Sequence, residues 1–538
     1  MIAEHVDTVY DAFAATAARY PDRPVLNVLP NTAEVYGITA GALSYGAALA
    51  EVDALAEQLL ACGYEAGMRI ALLLENRPAF FVYWLAANRI GASVVPVNPD
   101  LRAAELEYLM GHSEPALAVT IPARRDDLES AADAAGLAVP VIVLGERAPT
   151  PRPQCVVAEQ LRGEAREGAI LYTSGTTGKP KGCVLPNAYF LLAGRWYAQV
   201  GGIATLYNDG ERMITPLPIF HMNAMAYSFM AMVAVGGCLT ALDRFHPRSW
   251  WQDVCDAEAT CLHYLGVMPS MLLGLERSPA ETAHSVRFGF GAGVDPKKQV
   301  AFEERYGFPL VEAWAMTETG AGAVIAASTK DRLVGQASIG KPGSDLDCMI
   351  ADESGAPVPL GEPGELLVRR AGDNPRYGFF SHYYKDADAT AEAWENGWFH
   401  TGDIVRQTAD KNVFFVDRKK NVIRRSGENI AAVEVESILM RHPHIHAAGV
   451  TAVPDAVRGD EVFACLHCDP EVEADAIVHW CLEQMAYYKA PGYIAFVDQL
   501  PLTATQKIQR AALKALALDL LGAPETVKTV HLKKRQLA

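Results

Sequence analysis

The chain has 538 residues, 50% of them hydrophobic and 21% charged, with a formal net charge of −17. That length exceeds what one hydrophobic core organises, so about two to four structural units are expected, and the composition excludes a disordered chain. The acidic balance argues against nucleic acid or an anionic membrane surface as the main partner, so an anionic substrate has to be met by local positive charge.

Met1 to Asp7 has neither a basic lead nor an apolar run, so no signal peptide is expected. The ten cysteines are scattered, and the one close pair, Cys465 and Cys468, lacks a second pair at zinc spacing. These features predict a cytoplasmic protein with buried, reduced thiols. From residue 1 to about 165, helical and strand periodicities alternate. Leu43 to Cys62 reads as an amphipathic helix capped by Ser44 and stopped at Gly63, and Arg69 to Leu74 as a buried strand. Pro78 to Ile90 and Ala103 to Met110 read as helices around the strand Ser93 to Val97. Such alternation predicts an α/β fold of parallel sheets covered by helices.

Tyr172 to Gly182 follows the apolar Ala169, Ile170 and Leu171 and reads as a strand running into a loop. It packs five hydroxyls, three glycines and two lysines into eleven residues. Glycines let successive backbone N–H groups face one anion, hydroxyls donate to its oxygens and lysines supply charge, which suits an oligophosphate. Gly175 and Gly178 are too close for the nucleotide loop with four residues between Gly and Gly-Lys-Ser/Thr, and Lys179 is followed by Pro180.

Next come a helix at Pro186 to Val200 and a strand at Arg212 to Pro218. The most apolar window, Asn223 to Leu242, is broken by Gly236 and Gly237 and reads as a buried helix followed by a strand rather than a membrane span. Arg287 to Val294 has the wrong glycine spacing for a dinucleotide fingerprint, but its glycines let a flat base lie close to backbone. Ile339 to Val368, rich in Gly and Pro, reads as a small β-rich module. The charged run from Val416 to Ile430 reads as a linker, dividing the chain into units 1–416 and 421–538 with 417–420 between them. The last unit has α+β character, with helices at Ala432 to Met440 and Asp475 to Met485 and strands at Ala447 to Val453 and Val462 to His467.

Five stretches stand in one order: Tyr172 to Gly182, Glu312 to Gly320 (Glu-Ala-Trp-Ala-Met-Thr-Glu-Thr-Gly), Thr401-Gly402-Asp403, Val416 to Ile430, and Leu500 to Arg510. Together they resemble the adenylate-forming enzymes: acyl- and aryl-CoA synthetases, peptide-synthetase adenylation domains and beetle luciferases. The segments around Tyr377 to Phe380 and Arg424 to Asn429 are most similar to carnitine/crotonobetaine-CoA ligases and short- to medium-chain acyl-CoA synthetases.

The resemblance implies a large N-terminal domain of two helix-covered sheets with a β-barrel-like module, a smaller mobile α+β C-terminal domain, and ATP, Mg²⁺ and coenzyme A as cofactors. It implies that Thr173, Ser174, Gly175, Thr176, Thr177, Gly178 and Lys179 hold phosphates, with Thr176 also near the metal. Gly291, Ala292, Gly293 and Ala313 are then part of the adenine wall, Trp314 the stacking ring and Glu312 an acceptor for the adenine amino group. Thr317 lies by the phosphates and Glu318 ligates Mg²⁺, a hard cation suited to one carboxylate plus phosphate oxygens. Asp403 accepts from the ribose hydroxyls, Arg418 contacts ribose and phosphate, Lys420 is the hinge, Gly427 lets pantetheine pass, and Lys507 neutralises the attack of a carboxylate on the α-phosphorus. Trp196, His221, Met222, Met225, Phe290, Ala315 and Met316 are the implied acyl pocket, an apolar set, with His221 nearest the chemistry. Ala315 and Gln506 stand where the family usually has Gly; the added methyl at Ala315 points to small or medium acids. Arg195 either faces this pocket or is solvated on its helix.

The implied reaction joins two anions, so its barrier is electrostatic and positional. A carboxylic acid, ATP and CoA are the expected partners, as a monomer or homodimer. Three alternatives stand beside a CoA ligase: an adenylating enzyme serving a carrier protein or other acceptor, an oxygenase of the same fold, and a non-catalytic binding protein.

Overall fold

The computed structural model describes residues 2–3, 5–152, 157–158, 161–173, 179–418, 422–501 and 508–534, with the side chains of 417 and 418 left out. Four sheets organise these residues. The first has eight strands, and its central run is parallel: Leu310–Trp314, Phe288–Ala292, Cys261–Leu265, Arg212–Thr215, Cys238–Ala241 and Pro24–Val28. The second has seven strands, with Ser93–Pro96, Arg69–Leu73, Leu117–Thr120 and Val141–Val143 parallel and Glu167–Thr173 paired to Lys181–Pro186 as an antiparallel hairpin. Both are α/β layers, as the alternation of elements predicts. A five-stranded antiparallel sheet between Ser338 and Arg418 is the β-rich module.

Local sequence explains the elements. The helix Tyr45–Ala61 begins where the Ser44 hydroxyl accepts from the Ala47 N–H. Pro78–Ile90 starts on a proline, ends at Gly91 in left-handed conformation and is buried along most of its length, because it lies between layers. The segment from Asn223 differs from a plain helix: Asn223–Phe229 forms wide π-type turns before the regular helix Met230–Val235 and the strand Cys238–Ala241. Such turns are frequent at functional sites, and Asn223 itself reaches the cleft described below.

Residues from Ile423 to Leu532 pack around two cores of their own. Their sheet joins the hairpin Val422–Arg425/Glu428–Ala431 to the long strands Gly459–Cys468 and Ile445–Asp455. This C-terminal unit touches the rest through the helix Ala474–Gln484, which lies near Ala103–Ser113, and through Asn98 Nδ2, which donates to Tyr488 Oη at 2.9 Å. Among the described residues, no helix is long and apolar enough to cross a membrane.

Candidate active site

A cleft of about 740 Å³ opens where the carboxyl ends of the parallel strands Cys261–Leu265 and Leu310–Trp314 meet the hairpin of the second sheet, the β-rich module and the C-terminal unit. The crevice beyond the carboxyl ends of such strands is where α/β sheets bind ligands.

On the large-sheet side, Gly291 is dictated by packing: a methyl there would stand 2.2 Å from the Tyr264 carbonyl oxygen. Ala292 and Gly293 continue the strand into an exposed turn, with Gly293 at φ +80. Glu312 fixes this turn from below. Its Oε2 accepts from the Gly293 N–H at 2.8 Å and its Oε1 from the Tyr264 hydroxyl at 2.5 Å, with the Val294 N–H shared at 3.3 Å. The expected acceptor for a base is thereby committed to shaping the wall. Burial pushes the Glu312 carboxyl up to about 7, against the pull of those three donors.

Trp314, two residues on, is buried and donates its indole N–H to Asp403 Oδ2 at 2.8 Å, so the expected stacking ring and the expected ribose carboxylate form one buried unit. Asp403 pairs in register with Arg418 on the adjacent strand, while Ala313 pairs with Ala326. Thr317 and Glu318 lie on the cleft wall. Glu318 Oε1 accepts from the Tyr383 hydroxyl at 2.9 Å and from Thr173 Oγ1 at 3.5 Å, which ties the hairpin strand to the motif 145 residues later. Burial, and then the Glu318 charge, hold the Tyr383 phenol well above its usual range. Nothing in a short motif announces Tyr383; it reaches Glu318 because His382–Tyr383 adds as an edge strand to Lys181–Pro186. Lys179 is exposed and its amine lies 5.5 Å from the Tyr108 ring, whereas Lys181 lines the cleft over Tyr383 at 4.7 Å.

The donor set suits a metal that arrives with a nucleotide. Glu318 and the threonine hydroxyls supply hard oxygen atoms, and among the described residues no group of three His, Cys, Asp or Glu could hold an ion alone. That is the behaviour of Mg²⁺, which takes one or two protein carboxylates and completes its shell with phosphate oxygens and water.

Of the seven acyl-pocket candidates, His221, Met222, Ala315 and Met316 line the cleft. The other three stand behind its wall. Met225 is fully buried in the core, Phe290 packs on Tyr197 at 4.8 Å and His263 at 5.5 Å, and Trp196 leans on Phe290 and Tyr227. Aromatic rings at those strand and helix positions satisfy one another before they reach the cavity. Arg195 turns away from the cleft and donates to the backbone oxygens of Ala3 and Val6 at 2.9 and 3.2 Å. Behind Asn223, a network missed from sequence holds the wall: His263 is fully buried, bonded to Asn223 Oδ1 at 2.6 Å, Ser228 Oγ at 2.9 Å and the Tyr197 hydroxyl at 3.0 Å. Burial drives that imidazole down to about 3, so it is neutral.

The C-terminal hairpin closes the cleft. Gly427 sits at its tip with φ +92, a left-handed conformation that favours glycine, and packs against the Leu265 side chain, whose Cδ1 a methyl there would meet at 2.4 Å. Glu428 beside it brings Oε2 to 3.5 Å from His221 Nε2. Ser174, Gly175, Thr176, Thr177, Gly178, Lys420 and Lys507 lie outside the described residues.

A cleft of this kind, lined by Ala315 to Glu318 and by Thr401 and Gly402, with the bonded Trp314–Asp403 pair next to them in the chain and the C-terminal hairpin closing it, fits a nucleotide-binding protein. The chain belongs to the AMP-binding enzyme family, whose model matches residues 13–380, and the model of that family's C-terminal domain matches residues 434–507. It is 30% identical to the sulfoacetate–CoA ligase of Cupriavidus necator over 95% of this chain and 98% of that protein. With the crotonobetaine/carnitine–CoA ligase of Citrobacter koseri it shares 29% identity over 88% of this chain and 93% of the relative. Among solved structures, o-succinylbenzoate CoA synthetase of Bacillus subtilis bound to a product analogue superposes with a TM-score of 0.80 at 25% identity, covering 94% of this chain and 98% of the other. The same Bacillus protein in complex with its acyl-adenylate superposes at 0.65, with 24% identity over 94% of this chain and 97% of the other.

Proposed function

We propose that the protein is an AMP-forming carboxylate:CoA ligase acting on a small to medium carboxylic acid. The observation that carries this reading is the meeting, in one cleft, of Thr317 and Glu318 with a hairpin tip, Gly427, from the C-terminal unit, where the buried Trp314–Asp403 pair stands next in the chain to the lining residues Ala315 and Gly402. In the first step a carboxylate oxygen of the acid attacks the α-phosphorus of ATP and pyrophosphate leaves. The acyl-adenylate is then cleaved by the thiol of CoA: sulfur bonds to the acyl carbon, AMP leaves and the thiol proton passes to solvent.

The chain's part is positional and electrostatic. Trp314 and the turn held by Glu312 would sandwich the base, and Asp403 would accept from the ribose hydroxyls. Glu318 would hold Mg²⁺, which supplies positive charge opposite the phosphates. Thr173, residues 174–179 and Thr317 would hold the leaving pyrophosphate, with Thr176 near the metal. Arg418 would reach ribose and phosphate. His221, Met222, Ala315 and Met316 would bound the acyl group. Lys507 would supply the charge for the first step, and units 1–416 and 421–538 would turn about 417–420, with Lys420 as hinge, so that Gly427 admits the pantetheine arm for the second. The named activity of the Cupriavidus and Citrobacter relatives, both CoA ligases, supports this reading.

The test is a panel of acids (acetate, butyrate, crotonate, carnitine, sulfoacetate and benzoate) assayed for ATP–pyrophosphate exchange and for CoA-dependent AMP formation. At least one acid should support both, and Lys507→Ala should abolish the exchange. Exchange without CoA-dependent turnover would favour a different acyl acceptor; no exchange with any acid would overturn the reading.

A further inference from the structure

A buried ionic cluster of Glu105, Lys489 and Glu434 lies at the junction of the two units and lines the cleft there. Glu105, in the first turn of the helix Ala103–Ser113, is 7% exposed. Its Oε1 accepts from Lys489 Nζ at 2.6 Å, and its Oε2 accepts from the Ala486 N–H at 2.8 Å and from the Arg102 N–H of its own helix at 3.0 Å. Two of those three donors belong to the C-terminal unit. Lys489 is itself 6% exposed and also donates to Glu434 Oε1 at 2.6 Å. Glu434 sits on Ala432–Leu439, the helix that directly follows the hairpin strand Glu428–Ala431. A continuous chain of contacts thus runs from the N-terminal helix through one ammonium to the element that carries Gly427 to Leu265.

The charge count makes this contact separable. Breaking one partner out of a buried pair is strongly destabilising when a charge is left alone. Here Lys489 and Glu434 form a neutral pair within the C-terminal unit, and Glu105 has its own helix N-terminus to return to. Undocking therefore strands neither side. Burial works against the Lys489 charge, but Glu105 and Glu434 more than offset it and hold the amine above the usual lysine range, so it is an ammonium when docked.

Resting on the ligase reading above, we propose that Glu105 is a positioning residue for the thioester half-reaction: by gripping Lys489 and the Ala486 amide it holds the C-terminal unit in the orientation that seats Gly427 at the cleft. It plays no part in adenylation, for which that orientation is released.

Glu105→Gln tests this, because its carbonyl oxygen still accepts from the Ala486 and Arg102 N–H groups while its amide nitrogen, a donor, takes the place of the oxygen that accepts from Lys489, so the grip on the ammonium is lost and the cap is kept. With the panel acid that the wild-type enzyme turns over fastest, ATP–pyrophosphate exchange should stay at the wild-type rate, while single-turnover transfer from preformed adenylate to CoA should slow about 10-fold, the size of a modest conformational coupling. In the unliganded protein, amide hydrogen exchange at 486–489 should accelerate in the variant without a change in melting temperature. Glu105→Asp, which restores the charge on a shorter arm, should recover part of the transfer rate. Equal slowing of both steps, slowing of neither, or unchanged hydrogen exchange at 486–489 overturns the proposal. Failure of the ligase reading looks different, since the wild-type enzyme then shows no acid-dependent exchange, and the proposal falls with it.

Discussion

Glu312 offers a prediction whose size follows from the structure. The carboxyl is buried, receives the Tyr264, Gly293 and Val294 donors and titrates at about 7 in the folded protein, against 4.5 as its ordinary value. A folded-state value raised above the unfolded one means that the native protein holds a proton the unfolded chain has released. The resulting stability is fully present below about pH 4.5 and is lost as pH rises through about 7; the gap corresponds to about 3 kcal/mol. Because the group is enclosed, solvent screening does not reduce that figure much. Glu312→Gln is isosteric and cannot titrate: its carbonyl oxygen accepts the backbone N–H groups and its amide faces the Tyr264 oxygen. Wild type and variant share every other ionisable group, so the difference between their stabilities isolates this one. Urea unfolding followed by tryptophan fluorescence, which reports mainly on the N-terminal unit because seven of the eight tryptophans precede residue 416, should show wild type losing about 3 kcal/mol relative to the variant between about pH 4.5 and 8. A difference that stays flat with pH, or that moves in favour of wild type as pH rises, would refute the reasoning.

Other outcomes follow from single contacts. Trp314→Phe keeps a stacking ring but deletes the 2.8 Å bond to Asp403; hydrogen bonds to charged groups are worth about 1.5–3 kcal/mol, so calorimetric titration should find AMP bound about 10-fold or more weakly, and unchanged affinity would separate the pair from nucleotide binding. Gly427→Ala places a methyl 2.4 Å from Leu265 Cδ1 at a left-handed φ; CoA-dependent turnover should fall at least about 10-fold while ATP–pyrophosphate exchange persists, and a parallel loss of exchange would show the hairpin acting in both steps. Buried neutral with a value near 3, His263 should show imidazole NMR shifts that do not move between about pH 5 and 8; a titration in that range would mean the Asn223–Ser228–Tyr197 network admits water.

Much of the scaffold is legible locally. Ser44 as a cap, the alternating strands and helices and the Gly-rich β-rich module follow from residue-by-residue propensity and periodicity, which need no knowledge of distant partners. The wide turns at Asn223–Phe229 escape periodicity because a π-type turn has nearly the same apolar spacing as an α-helix over one or two turns.

The candidate site divides the same way. Order and spacing of the motifs place Trp314, Glu318, Asp403 and Gly427 in the chain, and chemistry limits what each residue type does. Which groups remain open to a ligand is a matter of packing. Glu312 is taken up by Tyr264 and the Gly293 turn, Phe290 and Met225 are closed into the core, Arg195 is spent on Ala3 and Val6, and Tyr383 arrives at Glu318 from an edge strand. The grip of Glu105 on Lys489 spans 384 residues and joins two cores. Propensity and spacing act over a few residues, so the sequence by itself determined the elements and the chemical vocabulary of the cleft. The pairing of buried charges depends on which surfaces exclude water from each other, and only the tertiary structure decided that.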